Sequence, residues 1–122
     1  MQSLTKSNKT YIVTGGAGFI GSHLAESLVN DAHNVVIIDD LSSGYEDNIS
    51  AGLSNSLIKN QVQKVADQDI NSVHGIFHLA AQASVPYSID NFFNSSENNI
   101  LSSLKVFSWA KEIIDQYYGI LK

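Results

Sequence analysis

A cluster of glycines between a β-branched run and a helix-like stretch constrains the fold of this chain most. The segment "TYIVTGGAGFIGSHLAE" (residues 10–26) carries Gly15, Gly16, Gly18 and Gly21, which satisfy both G-x-x-G-x-x-G and G-x-G-x-x-G. An early glycine allows the sharp turn from strand to helix, Gly18 lets a pyrophosphate approach the backbone, and Gly21 lets the helix pack closely on the strand. The first N–H groups of the helix then face the anion. The pattern predicts a dinucleotide-binding turn.

The segments around the glycines complete a strand–helix–strand unit. Tyr11–Thr14 is a continuous β-branched and aromatic run, typical of a buried strand, and apolar spacing predicts a helix from about Phe19 to Asn30. The segment "HNVVIIDD" (residues 33–40) follows as a second buried strand that ends in two acids. This unit fits the right-handed βαβ crossover of parallel sheets.

The acid at the end of the second strand indicates which dinucleotide would bind. Asp39 lies 18 residues after Gly21, close to the offset of about 20 at which a carboxylate accepts hydrogen bonds from the adenosine ribose. The segment "DDLSSG" offers no cation for the 2′-phosphate of NADP, so NAD is favoured. Asp40 fits a loop cap and a ligand equally well.

The rest of the chain supplies a less regular segment, a strand and a long helix. Ile58–Val65 can be a strand or a helix, and the spacing of the apolar residues favours the helix slightly. Gly75–Ala81 predicts a third buried strand. A final helix is expected from about Phe92 to Leu121. Its apolar stripe, expected to pack in the core, is Ile100, Leu104, Phe107, Ile114, Tyr118 and Leu121.

Composition narrows the class of protein. The 122 residues carry a net charge of -5, which argues against nucleic acid and anionic membranes as partners because both require a basic face. No apolar run reaches transmembrane length, and no cysteine is present for a disulfide or thiolate metal site. His74 and His78 straddle a loop and a strand, so no metal site is expected. These features fit one cytoplasmic globular domain.

Four segments, in the same order, resemble the N-terminal half of extended short-chain dehydrogenases/reductases, and more narrowly the NAD-dependent nucleotide-sugar epimerase/dehydratase family. They are "VTGGAGFIGSHLAESLV", "VVIIDDLSSG", "FHLAAQASVPYSIDN" and "NNILSSLKVFSWAKE". The resemblance implies an α/β fold, a Rossmann-type doubly wound parallel sheet truncated to about three or four strands. It also implies a flexible lead over residues 1–9 and a dinucleotide-binding domain over residues 10–122.

The resemblance assigns roles around NAD to the matching positions. The glycine turn would hold the pyrophosphate, Asp69-Ile70 would flank adenine, and Leu79–Ala81 would line the nicotinamide ribose. Gln82 and Ser84 would face the junction with the sugar. The full set of expected cofactor-binding residues is Gly15, Gly18, Phe19, Ile20, Gly21, Asp39, Asp40, Ser42, Ser43, Gly44, Asp69, Ile70, Leu79, Ala80, Ala81, Gln82 and Asn99.

The family's chemistry needs residues that this chain is expected to lack. Family members use a tyrosine, a lysine four residues later and a serine or threonine on a further strand, and the chain ends before that strand. The segment "YGILK" (Tyr118–Lys122) has the spacing but lies at the tail of the preceding helix, so we interpret it as a coincidence. The sequence thus predicts an NAD-binding portion that has no catalytic residues and meets a nucleotide sugar only with a missing C-terminal half.

The alternative is a non-enzymatic module that binds a nucleotide or associates with itself. Truncation would leave a sheet edge or an apolar helix face uncovered, and such surfaces invite pairing with another chain. The sequence therefore also predicts a homo-oligomer, formed by edge pairing or by exchange of the terminal helix.

Overall fold

Four parallel strands form one sheet in the computed structural model, which describes residues 8–70, 72–81 and 89–117. Their order is β3-β2-β1-β4, so the first strand of the chain lies inside the sheet and the third and fourth lie at its edges. β1 pairs with β2 in a register that sets Val13 opposite Ile37, and with β4 in one that sets Val13 opposite Phe77. The strands are β1 Thr10–Thr14, β2 Asn34–Ile38, β3 Leu57–Ile58 and β4 Gly75–His78.

Two helices cover opposite faces of the sheet. α1 spans Phe19–Asn30 and α2 spans Phe92–Tyr117. Side chains alternate along each strand: Ile12 belongs to the apolar cluster that includes Val106 and Trp109 of α2, whereas Val13 belongs to the cluster that includes Ala25 of α1. This confirms the predicted α/β fold, a Rossmann-type doubly wound parallel sheet, with four strands in the described residues.

The helix favoured over Ile58–Val65 is wrong. Leu57 and Ile58 instead form a two-residue strand that pairs with Ile37 and Ile38. A short 3-10 helix then covers Val62–Lys64. The apolar residues of this segment are held by long-range contacts with β2 and α2 rather than by a local helical repeat, which is why their spacing misled the prediction.

The third predicted strand is shorter and less buried than expected. β4 ends at His78, and its residues are half-buried, with Phe77 37% exposed. A fully buried parallel strand needs neighbours on both sides, whereas β4 has β1 on one side and no partner strand on the other among the described residues. The strand is therefore an edge of the sheet in this part of the chain.

The apolar stripe predicted to pack α2 into the core faces the other way. Leu104 and Phe107 are 56% and 67% exposed, whereas Val106 and Trp109 are 7% and 3% exposed. Ser95 and Ser102 are also buried on the packed face, where small side chains let the helix approach the sheet. The periodicity identified residues that share a face but assigned the wrong face to the core.

Several predictions fall outside the described residues. They concern the N-terminal lead apart from Asn8 and Lys9, the positions Gln82 and Ser84, and the tail Tyr118–Lys122. Within the described residues, neither helix combines the length and the hydropathy that crossing a membrane requires.

Candidate functional site

A groove opens at the carboxyl ends of β1, β2 and β4, beside the start of α1. The strand order changes direction between β1 and β4, and open α/β sheets bind ligands at that point. We call it the switch-point groove. The structure brings eleven of the predicted site residues to it: Gly15, Gly18, Asp39, Asp40, Ser42, Ser43, Gly44, Leu79, Ala80, Ala81 and Asn99.

The glycine turn is folded so that two of its glycines cannot carry a side chain. Gly15 has a φ of +72°, which favours glycine, and its N–H donates to the Ile38 carbonyl oxygen at 2.8 Å. A Cβ on Gly15 would lie 2.9 Å from the Ala80 nitrogen, and a Cβ on Gly21 would collide with the Gly15 carbonyl oxygen. The turn therefore holds β1, β2 and β4 in close contact at the bottom of the groove.

Gly18 lies directly before α1, and there is open space beside its Cα. It is the N-terminal cap residue, with an extended backbone and no side-chain cap, and a Cβ there would meet one described atom within 4 Å, the Gly15 carbonyl oxygen at 3.3 Å. The first N–H groups of a helix have no intrahelical acceptor, so the start of α1 presents donors and a positive dipole end. The side chains of Phe19 and Ile20 are 78% and 71% exposed, and neither residue lines the groove.

Asp39 joins the end of β2 to the glycine turn. Its carboxylate accepts hydrogen bonds from the N–H of Ala17 at 2.9 Å and from the N–H of Leu41 at 2.7 Å. The residue is 9% exposed and lines the groove. A carboxylate offers about four acceptor positions, so Asp39 can hold the turn and still accept hydrogen bonds from a ligand's hydroxyl groups. Asp40 is exposed and caps the next turn, since its Oδ1 accepts the Ser42 N–H at 3.0 Å.

The loop after β2 is fixed on the peptide of Ala17. The Ala17 carbonyl oxygen accepts the Tyr45 N–H at 3.1 Å and the Asn48 side-chain amide at 2.8 Å. A Cβ on Gly44 would lie 2.9 Å from the Ala17 backbone, so the loop passes too close for a side chain. Sequence reasoning missed Asn48, because nothing in its neighbourhood signals a contact with a residue 31 positions earlier.

The predicted adenine-flanking pair does not lie at this groove. Asp69 ends a short 3-10 helix, and Ile70 lines a second cavity beside Trp109. Neither residue lines the groove, so their role beside the base stays a prediction; after β3 the chain reaches the groove about eight residues earlier, at Gln61 and Val62. The lining residues that sequence reasoning missed are Ile38, Asn60, Gln61, Val62, Gln63, Asn98 and Ser102.

Asp67, which lines the second cavity, forms an ion pair with Lys105. Asp67 accepts hydrogen bonds from Lys105 at 2.7 Å and from the Trp109 indole at 2.9 Å. These donors, the lysine first, hold the pKa of Asp67 below its ordinary value. Elsewhere in the described part of the chain, histidine, aspartate and glutamate side chains do not gather into a group of three that could hold a metal ion.

One protein family matches nearly the whole chain. Residues 11–118 match the NAD dependent epimerase/dehydratase family. The chain is 35% identical over 106 residues to UDP-glucose 4-epimerase of Mycolicibacterium smegmatis, covering 82% of this chain and 34% of that protein. It is 31% identical over 108 residues to UDP-glucuronic acid decarboxylase 1 of Danio rerio, covering 88% and 26%. The chain thus spans about a quarter to a third of the length of these relatives.

Solved structures give the same result for the fold. A UDP-N-acetylglucosamine 4-epimerase from Methanobrevibacter ruminantium, in complex with UDP-N-acetylmuramic acid, superposes with a TM-score of 0.77 at 39% identity, over 88% of this chain and 35% of that one. Thermus thermophilus UDP-glucose 4-epimerase in complex with NAD gives 0.72 at 31% identity, over 88% and 34%. Since the family match covers residues 11–118 of the 122, the chain belongs to the NAD dependent epimerase/dehydratase family.

Proposed function

We propose that the chain binds NAD in the switch-point groove. The observation that carries this proposal is the junction of the glycine turn with Asp39 at the mouth of one groove. The start of α1 offers backbone donors to a pyrophosphate. Asp39 lies where it can accept hydrogen bonds from the adenosine ribose. The two features therefore fit both ends of the adenosine diphosphate half of NAD.

The charges of the groove favour NAD over NADP. Asp39 and Asp40 line it, and the described lining residues include no lysine or arginine. A 2′-phosphate would meet two carboxylates without a compensating cation, and like charges at close range repel. The Thermus thermophilus relative, solved in complex with NAD, supports the same choice.

We infer that the described lining of the groove lacks the tyrosine and lysine with which the family abstracts a substrate proton. Bound NAD accepts and returns a hydride, but a substrate hydroxyl must lose its proton to a base of suitable pKa. The described lining residues include no tyrosine, lysine or histidine. The chain is therefore proposed as the cofactor-binding portion of a nucleotide-sugar epimerase/dehydratase, acting in the cytoplasm and without turnover alone.

Calorimetric titration of the purified chain with NAD and NADP tests this function. We expect NAD to bind more tightly, and we expect Gly18→Ala to weaken NAD binding by about tenfold or more, because a methyl group would fill the space beside the pyrophosphate. Gly52→Ala is the matched control, since a Cβ there meets nothing within 4 Å. Absence of NAD binding at millimolar concentration, or equal effects of both variants, would contradict the proposal.

A second candidate function, self-association through α2, rests on its outward face. Phe93, Ile100, Leu104 and Phe107 are each more than half exposed and recur at the three- and four-residue spacing of a helix–helix seam. Glu97 and Lys111 continue the same seam, seven residues on either side of Leu104. An antiparallel pair of α2 helices crossing at Leu104 would set Glu97 of one copy against Lys111 of the other.

Sedimentation equilibrium tests this second candidate. Leu104→Glu would place two like charges at the proposed crossing, so we expect it to shift a dimer to monomer. Tyr45→Ser is the control, because Tyr45 is also exposed (71%) but belongs to the loop after β2, where its N–H donates to the Ala17 carbonyl oxygen. A wild-type chain that is monomeric with or without NAD would exclude self-association by this face.

A further inference from the structure

A hydroxyl–imidazole pair lies directly behind one wall of the switch-point groove. Thr14 ends β1 and is fully buried, and His78 ends the neighbouring strand β4. The Thr14 Oγ1 and the His78 Nδ1 are 2.7 Å apart. The same Oγ1 accepts the backbone N–H groups of Leu79 at 2.9 Å and Ala80 at 3.1 Å, and these two residues form the wall.

The hydrogen bonds around the Thr14 Oγ1 indicate which nitrogen of the His78 ring carries the hydrogen. A threonine hydroxyl has one hydrogen to donate and two lone pairs that accept. The N–H of Leu79, which it shares with the Thr14 carbonyl oxygen at 3.1 Å, and the N–H of Ala80 both point to these lone pairs, so we assign the hydroxyl hydrogen to the contact with Nδ1 of His78. This arrangement requires a neutral ring that carries its hydrogen on Nε2, the atom that faces the Ser103 Oγ at 3.5 Å.

We propose that His78 is a positioning residue for the cofactor site: its neutral ring orients the Thr14 hydroxyl, which holds the Leu79–Ala80 wall, and protonation of the ring releases that wall. The inference rests on the proposed function only for its effect on NAD. The state of the ring and its link to the wall concern the chain by itself.

Protonation would disrupt the arrangement because a second hydrogen would enter it. An Nδ1–H would face an oxygen whose lone pairs are both engaged, so the hydroxyl would have to give up a backbone N–H or the ring would have to withdraw. The described hydrogen-bond partners of the ring are hydroxyls, Thr14 from β1 and Ser103 from α2, and neither can balance an added charge. Burial alone lowers the pKa of His78, in the direction that keeps the ring neutral.

The test is NAD affinity as a function of pH, measured by calorimetry on the full chain from about pH 7.5 to about pH 5. We expect affinity to fall by about threefold to tenfold over this range, the effect of one lost neutral hydrogen bond. His78→Asn keeps an acceptor near the Nδ1 position but does not titrate, so its affinity should stay near the wild-type value and vary less with pH. His78→Leu removes the acceptor and should bind weakly at every pH.

His74→Asn is the matched control, because the Nδ1 of His74 also accepts a backbone N–H, that of Thr10 at 3.1 Å, away from the groove. It should keep the wild-type pH profile. A profile that is flattened equally by His74→Asn, or unchanged by His78→Asn, overturns the proposal.

A second measurement keeps the inference testable even if NAD does not bind. Nitrogen-15 NMR of the histidine rings reports which nitrogen carries the hydrogen. We expect His78 to hold it on Nε2, and the amide signals of Leu79 and Ala80 to shift with the same midpoint as the ring. A ring with its hydrogen on Nδ1 at neutral pH, or amide signals that do not follow its titration, would overturn the proposal independently of NAD binding.

Discussion

The carboxylate of Asp39 accepts the backbone N–H of Ala17 at 2.9 Å, which ties the end of the second strand to the middle of the glycine turn. The residue that the sequence assigns to a ligand is thus also part of the turn's own structure. Its second oxygen accepts the Leu41 N–H, so both carboxylate oxygens are engaged before any ligand arrives. The position of the groove's acid is therefore fixed by the fold.

Replacing Asp39 should cost stability as well as binding. We expect Asp39→Ala to lower the free energy of unfolding by about 2–3 kcal/mol, because two backbone N–H groups lose a charged acceptor in a buried site. Urea denaturation measures this change. Asp40→Ala is the control: Asp40 is exposed, and its loss should stay within about 0.5 kcal/mol. Equal losses for the two variants would show that the Ala17 contact does not stabilise the turn.

The glycines of the turn should separate into a folding class and a binding class. We expect Gly21→Ala to destabilise the chain by about 1–3 kcal/mol, because the added Cβ collides with the Gly15 carbonyl oxygen and the backbone must shift. Gly18→Ala meets that oxygen at 3.3 Å and should change stability by less than about 1 kcal/mol. Thermal unfolding of both variants checks this order, and a reversed order would contradict the packing described for the turn.

Stability should fall in mildly acidic solution because of His78. Burial lowers the pKa of His78 in the folded chain below the ordinary value of 6.5. Between the folded-state pKa and pH 6.5 the unfolded chain therefore binds more protons than the folded chain, and stability rises with pH in that range. The contribution is complete above about pH 6.5 and is lost as the pH falls through the folded-state pKa. The lowered pKa of Asp67 acts in a separate range, below its ordinary value of 3.8. Urea denaturation of the wild-type chain and His78→Asn should diverge as the pH falls below about 6.5; parallel curves would contradict the assignment.

The sequence was sufficient where local chemistry alone decides the structure. The strands β1 and β2 carry uninterrupted runs of β-branched and aromatic residues, Tyr11–Thr14 and Val35–Ile38. The glycine spacing between them is explained by contacts within a few residues of the turn, such as Gly21 against Gly15. The bounds of α1 agree with the prediction for the same reason, since the helix begins directly after Gly18. Whether β4 lies at the edge of the sheet depends on whether another strand pairs with its free side, and the residues of β4 do not encode that.

The predictions that are wrong depend on distant partners. Ile58 is in a strand because Ile38 lies beside it, and no pattern near residue 58 records that neighbour. In α2 the stripe through Leu104 carries more large apolar side chains than the face through Ser102 and Val106, yet the latter face packs on the sheet. Helical periodicity states which side chains share a face, whereas the sheet decides which face is buried.

The end of α1 offers a stabilising substitution. Ala32 has a φ of +68° and donates to the Val29 carbonyl oxygen at 2.9 Å, while His33 donates to the Leu28 carbonyl oxygen at 3.0 Å. These two bonds form the Schellman motif, whose left-handed position favours glycine because a Cβ is strained there. We therefore expect Ala32→Gly to raise the free energy of unfolding by about 0.5–1 kcal/mol.

Ala110→Gly tests whether that gain is specific to the left-handed position. Ala110 lies within α2, where glycine has a greater loss of backbone entropy than alanine, so the variant should lose about 0.5–1 kcal/mol. Urea denaturation of both variants at neutral pH compares them directly. Opposite signs support a strained left-handed Ala32. A loss of stability in both would mean that α1 does not end in the motif described.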